Sequence, residues 1–231
     1  MLLRSAKDRV RGWVDKISDR ATQRFAHNIE LGLQSRALGE TCDYVEAHLA
    51  MCVALSSTTE ILDFAVGQIP QQGFVCEFGV FQGRSINHLA ARIKPRTIHG
   101  FDSFEGLPED WRSGTGKGAF RTSVPPVAAN VVLHKGWFDA TLPGFAQSVA
   151  GQEAALLHVD CDLYSSTKTV FDVLGSTITT GSVLVFDEYF NYPGWKEHEH
   201  KALQEFCASS GKRYQYLAYN KLHEQVVVKF L

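Results

Sequence analysis

Residues Phe74–Ser85 read FVCEFGVFQGRS. A mostly apolar run reaches Glu77, and Gly79 and Gly83 then form a Gly-x-x-x-Gly turn that ends in Ser85. Followed by the helical pattern SINHLAARI, this stretch predicts a buried strand turning into a helix. Absent side chains in the turn leave the backbone open to close approach. The carboxylate ahead of the glycines must face whatever is held there.

The same texture recurs downstream. TIHGFD, VVLHKG, AALLHVD and SVLVFDE are short apolar runs, and LPGFAQSVA and STKTVFDVLGSTI between them carry helical spacing. Such alternation is the sign of βαβ units and a parallel sheet covered on both faces. RYQYLAYN and EQVVVKF then predict an antiparallel pair at the end. The expected fold is α/β, a Rossmann-like doubly wound and mostly parallel sheet. Residues 1–70 read as a helical extension, with Val10, Trp13, Val14 and Ile17, and later Ile61, Phe64 and Ala65, at helical spacing. The extension is expected to act as a lid or to pair with a second copy, ahead of a cofactor-binding domain over residues 71–231.

Bulk composition excludes several classes. Lys plus Arg is 23 against 25 Asp plus Glu, so no global field favours nucleic acid or an anionic membrane. The first 25 residues intersperse acids among their bases, which argues against a membrane-surface helix, and no apolar run approaches the ~20 residues of a span. Five scattered cysteines without a CxxC pair suit reduced thiols, hence a cytoplasmic protein.

In open α/β sheets ligands bind outside the carboxyl ends of the strands. Those ends carry Glu77, Asp102, Gly136, Asp160 and Asp187. A carboxylate at Glu77 repels a pyrophosphate but attracts an ammonium, and the turn lacks the G-x-G-x-x-G of a dinucleotide site. The pattern points to a cationic cofactor such as S-adenosylmethionine, with Asp102 accepting from ribose hydroxyls and Gly136 leaving room for adenine beside Trp137 or Phe138. The cofactor set is Glu77, Gly79, Val80, Gly83, Ser85, Asp102, Ser103, Gly136, Trp137, Phe138 and Asp160. HVDCDLY and VFDEYF place Asp160, Asp162, Asp187 and Glu188 on one edge, a hard-oxygen set suited to Mg²⁺ or Mn²⁺. His198 and His200, two apart on a helix, read as a solvated face, and His158 as a satisfied core histidine. SGTGKG, Ser113–Gly118, lacks P-loop spacing and reads as a loop over the site.

Together EFGVFQGRS, GFDSFEGLPE, KGWFDATLP, HVDCDLYSST and VLVFDEY resemble the macrocin O-methyltransferase-like (TylF/MycF-type) family, class I S-adenosylmethionine enzymes of natural-product biosynthesis. The resemblance covers roughly residues 73–206 and implies a seven-stranded sheet whose last strand is antiparallel. It also implies magnesium dependence, with ligands at Asp160, Asp187 and Glu188. Glu188 departs from the second aspartate common in the family. A more distant similarity to catechol-type methyltransferases would put their catalytic lysine near Leu163, so that base is absent.

The expected activity is O-methyl transfer to a small hydroxylated acceptor such as a sugar, with Asp160 or Asp162 taking the proton. A non-catalytic cofactor-binding subunit or assembly factor is the alternative. An NAD-dependent oxidoreductase conflicts with the turn spacing.

Overall fold

The computed structural model describes Trp13, Lys16 and residues 26–231. The stripe read at Val10, Val14 and Ile17, and the possible membrane-surface helix, fall outside the described residues apart from Trp13, which is exposed. Eight strands form one sheet: β1 (Val53–Leu55), β2 (Phe74–Phe78), β3 (Ile98–Asp102), β4 (Val131–Lys135), β5 (Ala154–Val159), β6 (Val183–Phe186), β7 (Tyr214–Asn220) and β8 (Val226–Phe230). Their order is β1-β7-β8-β6-β5-β2-β3-β4. Only β8 runs antiparallel to its neighbours, β6 and β7. The parallel strands and the closing hairpin match the sequence reading. β1 is an addition, lying within the segment read as helical and pairing with β7.

Successive side chains point to opposite faces of a strand, so each strand feeds two cores. Phe74, Cys76 and Phe78 join Leu157, Phe186 and Val228 on one side. Val75 joins Leu156, Val185 and Val227 on the other. Helices α2 (Thr58–Val66) and α3 (Arg84–Arg92) cover the second face through Ile61, Ala65, Ile86 and Leu89. Helices α4 (Phe138–Ser148), α5 (Tyr164–Leu174) and α6 (Glu199–Ser210) cover the first through Phe145, Phe171 and Leu203. Burial on both faces explains why these strands read as continuous apolar runs.

Helix α1 (Ile29–His48) is tied down differently. Asn28 caps it by accepting from the Leu31 N–H at 3.1 Å, yet only Ala37 and Thr41 are buried along its length. Polar contacts dock it: Thr41 Oγ1 accepts from the Asn191 N–H at 2.9 Å, and Lys196 pairs with Glu40. Tyr44 donates or accepts at the hub hydroxyl of Tyr216, which also bonds Tyr189 and Tyr214.

Candidate active site

The sheet order reverses between β2 and β5, and such switch points open a crevice at the strand carboxyl ends. A cavity of about 770 Å³ lies there, within the range of small-molecule sites. Gly79, Asp102, Ser103, Gly136, Trp137, Phe138 and Asp160 from the expected cofactor set line it. Asp162 and Glu188 line it too, whereas Glu77, Val80, Gly83, Ser85 and Asp187 do not.

The two glycines of the opening stretch are explained by the neighbouring backbone. A Cβ on Gly79 would stand 1.6 Å from the Asp160 carbonyl oxygen, so strand end β5, not a ligand, demands that absence. Gly83, at φ 76°, is the left-handed N-cap of α3. The Asp160 N–H donates to Phe78 O at 2.9 Å and the Asp187 N–H to Val159 O at 2.9 Å, extending the ladder past both strands. Both carboxylates therefore start from fixed backbone.

Asp102 has more work than a ribose would give it. One oxygen accepts from the Val80 and Phe81 N–H groups at 2.9 and 2.8 Å, and the other from Phe104 N–H at 2.7 Å. It holds the glycine turn and the following loop together while still facing the cavity. Val80 is buried, and the Ser103 hydroxyl accepts from the Glu105 N–H.

Glu77 is wholly buried and faces inward. Ser85 Oγ donates to its Oε1 at 3.0 Å, and His158 Nδ1 donates to its Oε2 at 2.9 Å. Burial pushes the Glu77 carboxyl up, against those two bonds. Burial would lower His158, but Asp187 and Glu77 outweigh it and raise the imidazole well above its ordinary value. His158 is thus a core histidine, though only half satisfied: its Nε2 and Asp187 Oδ1 face one another at 3.6 Å, and neither has a hydrogen-bond partner.

Asp160, Asp162, Glu188 and Glu199 crowd the same edge. Burial raises all four, and repulsion from neighbouring carboxylates, Asp187 among them in every case, adds to it; Asp162, although Glu188 and Arg112 oppose the shift, is pushed up to about 7. Burial also pushes Asp187 up, yet the attraction of the nearby His158 and a hydrogen bond from Gln225 leave it below its ordinary value. Like charges this close need protons or a cation. Among the described residues the possible ligand atoms fall into two groups, His158–Asp160–Asp187 and Asp160–Asp162–Glu188, each within 4.8 Å. Asp160 belongs to both, Asp187 to the first alone and Glu188 to the second alone. Glu188 Oε2 is likewise buried without a partner. Orphaned buried oxygens in an acid-rich set fit a divalent cation.

Phe81 and Phe120 also line the cavity and escaped the sequence. They and Asp162 adopt positive φ, at 45°, 64° and 65°. Such backbone clusters at ligand sites, but no residue type announces it. Phe81 packs edge-on against Phe120 at 5.8 Å. Arg112 stacks 3.8 Å over Trp111 and bonds both oxygens of Glu224 at 3.1 Å, anchoring the loop that was expected over the site. His200 is not on a solvated face: it packs at 4.9–5.3 Å against Trp195, Tyr189 and Tyr44.

Fold and sheet order define an open, doubly wound α/β domain with its cavity at the switch point. Residues 76–189 match the family model described as a methyltransferase domain. Over part of its length the chain is similar to two Streptomyces O-methyltransferases. It is 28% identical over 142 residues to 8-demethyl-8-(2,3-dimethoxy-alpha-L-rhamnosyl)-tetracenomycin-C 4'-O-methyltransferase of Streptomyces olivaceus, covering 51% of this chain and 53% of that one. It is 29% identical over 150 residues to demethyldecarbamoylnovobiocin O-methyltransferase of Streptomyces niveus, covering 54% and 56%. The chain thus spans about half the length of these curated relatives. Among solved structures, calicheamicin methyltransferase CalS11 superposes with TM-score 0.58 at 23% identity, over 90% of this chain and 85% of that one. The O-methyltransferase NovP superposes with TM-score 0.57 at 20% identity, over 74% and 78%. These likenesses are of fold. No helix among the described residues is long and apolar enough to cross a membrane.

Proposed function

We propose that the chain transfers a methyl group from S-adenosylmethionine to a hydroxyl of a small natural product or sugar, with a divalent cation, Mg²⁺ or Mn²⁺, held by Asp160 and Asp187 on the acidic edge that Glu188 extends. The observation carrying this reading is one cavity with two unlike walls. Asp102, Gly136, Trp137 and Phe138 form a side suited to a nucleoside, and Asp160, Asp162 and Glu188 form an acidic side suited to a cation and a hydroxyl. When bound, the cofactor supplies an electrophilic methyl group and the cation lowers the pKa of a coordinated hydroxyl. Gly136 and Trp137 position the nucleoside, and the Phe81–Phe120 pair with the Trp111–Arg112 loop excludes water. Asp162, held by its left-handed backbone at the cavity wall, receives the acceptor proton; Asp160 beside it is the second choice. Glu77 and Ser85 support the site from behind through His158, in place of direct cofactor contact.

A non-catalytic cofactor-binding subunit would need the nucleoside wall but not the acidic one, so it is the weaker reading. The proposed extension over residues 1–70 would pair two copies: α1 leaves Ile29, Leu31, Leu33 and Leu38 exposed. Light scattering checks that pairing. Titration calorimetry with S-adenosylmethionine and S-adenosylhomocysteine tests the cofactor assignment. Binding of both is expected, and NAD binding in their place would refute it.

A further inference from the structure

We propose that His158 is a ligand of the cation, its Nε2 joining the Asp160 and Asp187 carboxylates from the buried side in place of Glu188. The inference rests on the cation-dependent reading above and concerns which atoms bind and which ions they favour.

Three observations carry it. First, His158 is 0% exposed, and its Nε2 has no hydrogen-bond partner. The nearest acceptor, Asp187 Oδ1, stands 3.6 Å away, beyond hydrogen-bonding distance, and is itself unpartnered. Two buried polar atoms that face each other across such a gap each forgo a bond. Two ligands held about 2.1 Å from one ion at angles of 90–120° lie about 3.0–3.6 Å apart, so the gap has the width of an ion's bite. Second, the ligand atoms of His158, Asp160 and Asp187 group within 4.8 Å, whereas Glu188 groups with Asp160 and Asp162, all three lining the cavity, and not with Asp187. Third, the other ring nitrogen is already committed: Nδ1–H donates to Glu77 Oε2 at 2.9 Å, and Ser85 fixes the opposite Glu77 oxygen. A carboxylate on the far nitrogen is the usual second shell of a metal-binding histidine, fixing its tautomer and orientation. This gives Glu77 a purpose that its distance from the cavity otherwise denies it.

Imidazole among carboxylates favours ions such as Mn²⁺, Co²⁺ or Zn²⁺ over Mg²⁺, which prefers oxygen alone. Glu188 is left free to face Asp162 and the acceptor.

The test is pulsed EPR on the full chain loaded with Mn²⁺, with histidine ¹⁵N-labelled, alongside Mn²⁺ and Mg²⁺ affinities. A directly bound histidine nitrogen signal is expected, with Mn²⁺ bound at least tenfold tighter than Mg²⁺. Glu188→Gln should keep Mn²⁺ affinity within about threefold, and Glu77→Gln should weaken it about 10–100-fold. Because the native protein gives the nitrogen signal, a failure of His158→Gln to fold does not spoil the test. Mn²⁺ bound through oxygen alone would overturn this inference and leave the proposed function standing. No divalent cation bound at all would overturn both.

Discussion

Asp102→Ala separates a structural carboxylate from a purely ligand-binding one. The side chain accepts three backbone N–H bonds at 2.7–2.9 Å, from Val80, Phe81 and Phe104. Val80 and Phe104 are 2% and 4% exposed, so their donors find no easy water once the carboxylate is gone. Each stranded donor costs about 1–3 kcal/mol, and Phe81, being exposed, adds little. The expected loss is about 3 kcal/mol, or roughly 6–12 °C in melting temperature for a chain of this length. Urea denaturation without cofactor measures it, and Asp102→Asn, which keeps one acceptor oxygen, should fall between. If Asp102→Ala shifts no urea midpoint yet weakens S-adenosylmethionine binding, Asp102 serves the ligand alone and the reasoning from its backbone bonds is wrong.

Further expectations concern the turn, the tyrosine hub and acid stability. Gly79→Ala sets a Cβ 1.6 Å from the Asp160 carbonyl oxygen at φ 95°, so it should cost more than about 3 kcal/mol or prevent folding. Gly39→Ala, on α1 with nothing within 4 Å, should be neutral or stabilise by about 0.5–1 kcal/mol, and urea midpoints compare the two. Tyr216→Phe removes the hydroxyl shared by Tyr44, Tyr189 and Tyr214 and should cost about 1–3 kcal/mol, with faster amide exchange in α1. Burial, with the Lys196 and His48 charges, holds His200 down to about 4. The unfolded chain therefore binds more protons than the folded one between that value and about 6.5, so this stability is complete above pH ~6.5 and fades as pH falls toward 4. With its partial solvent contact discounted, the loss is about 1–2 kcal/mol. His200→Gln should narrow the difference between urea midpoints at pH 7 and pH 4.5 by that amount, and an unchanged difference would count against the assignment.

The sheet was legible because its strands are buried on both faces: Val75 and Cys76 serve different cores, yet both must be apolar. β1 was not legible. It has three residues, none of them buried, and pairs with a strand more than 150 positions later. The acidic edge could be read from strand ends, since a carboxylate closing an apolar run is visible locally. Its partition could not: Glu77 meets His158 across 81 positions, and only the fold groups Asp187 with His158 and Glu188 with Asp162. The cavity wall was hidden for another reason. Phe81 and Phe120 reach it through positive φ, which aromatic residues give no cue for. The two-residue spacing of His198 and His200 predicted solvent because helix geometry alone ignores α1, whose Tyr44 covers His200.

Cation-dependent methyl transfer to a hydroxyl is the proposed chemistry. Its most direct test is mass spectrometry of S-adenosylmethionine turnover across a panel of glycosides and vicinal diols, first under chelator and then with Mn²⁺ or Mg²⁺ restored. S-adenosylhomocysteine is expected in step with methylation of one acceptor hydroxyl, with collapse of both under chelator and recovery with the cation. Methylation at full rate in excess chelator would contradict it, as would tight cofactor binding with no acceptor methylated while the cation is present.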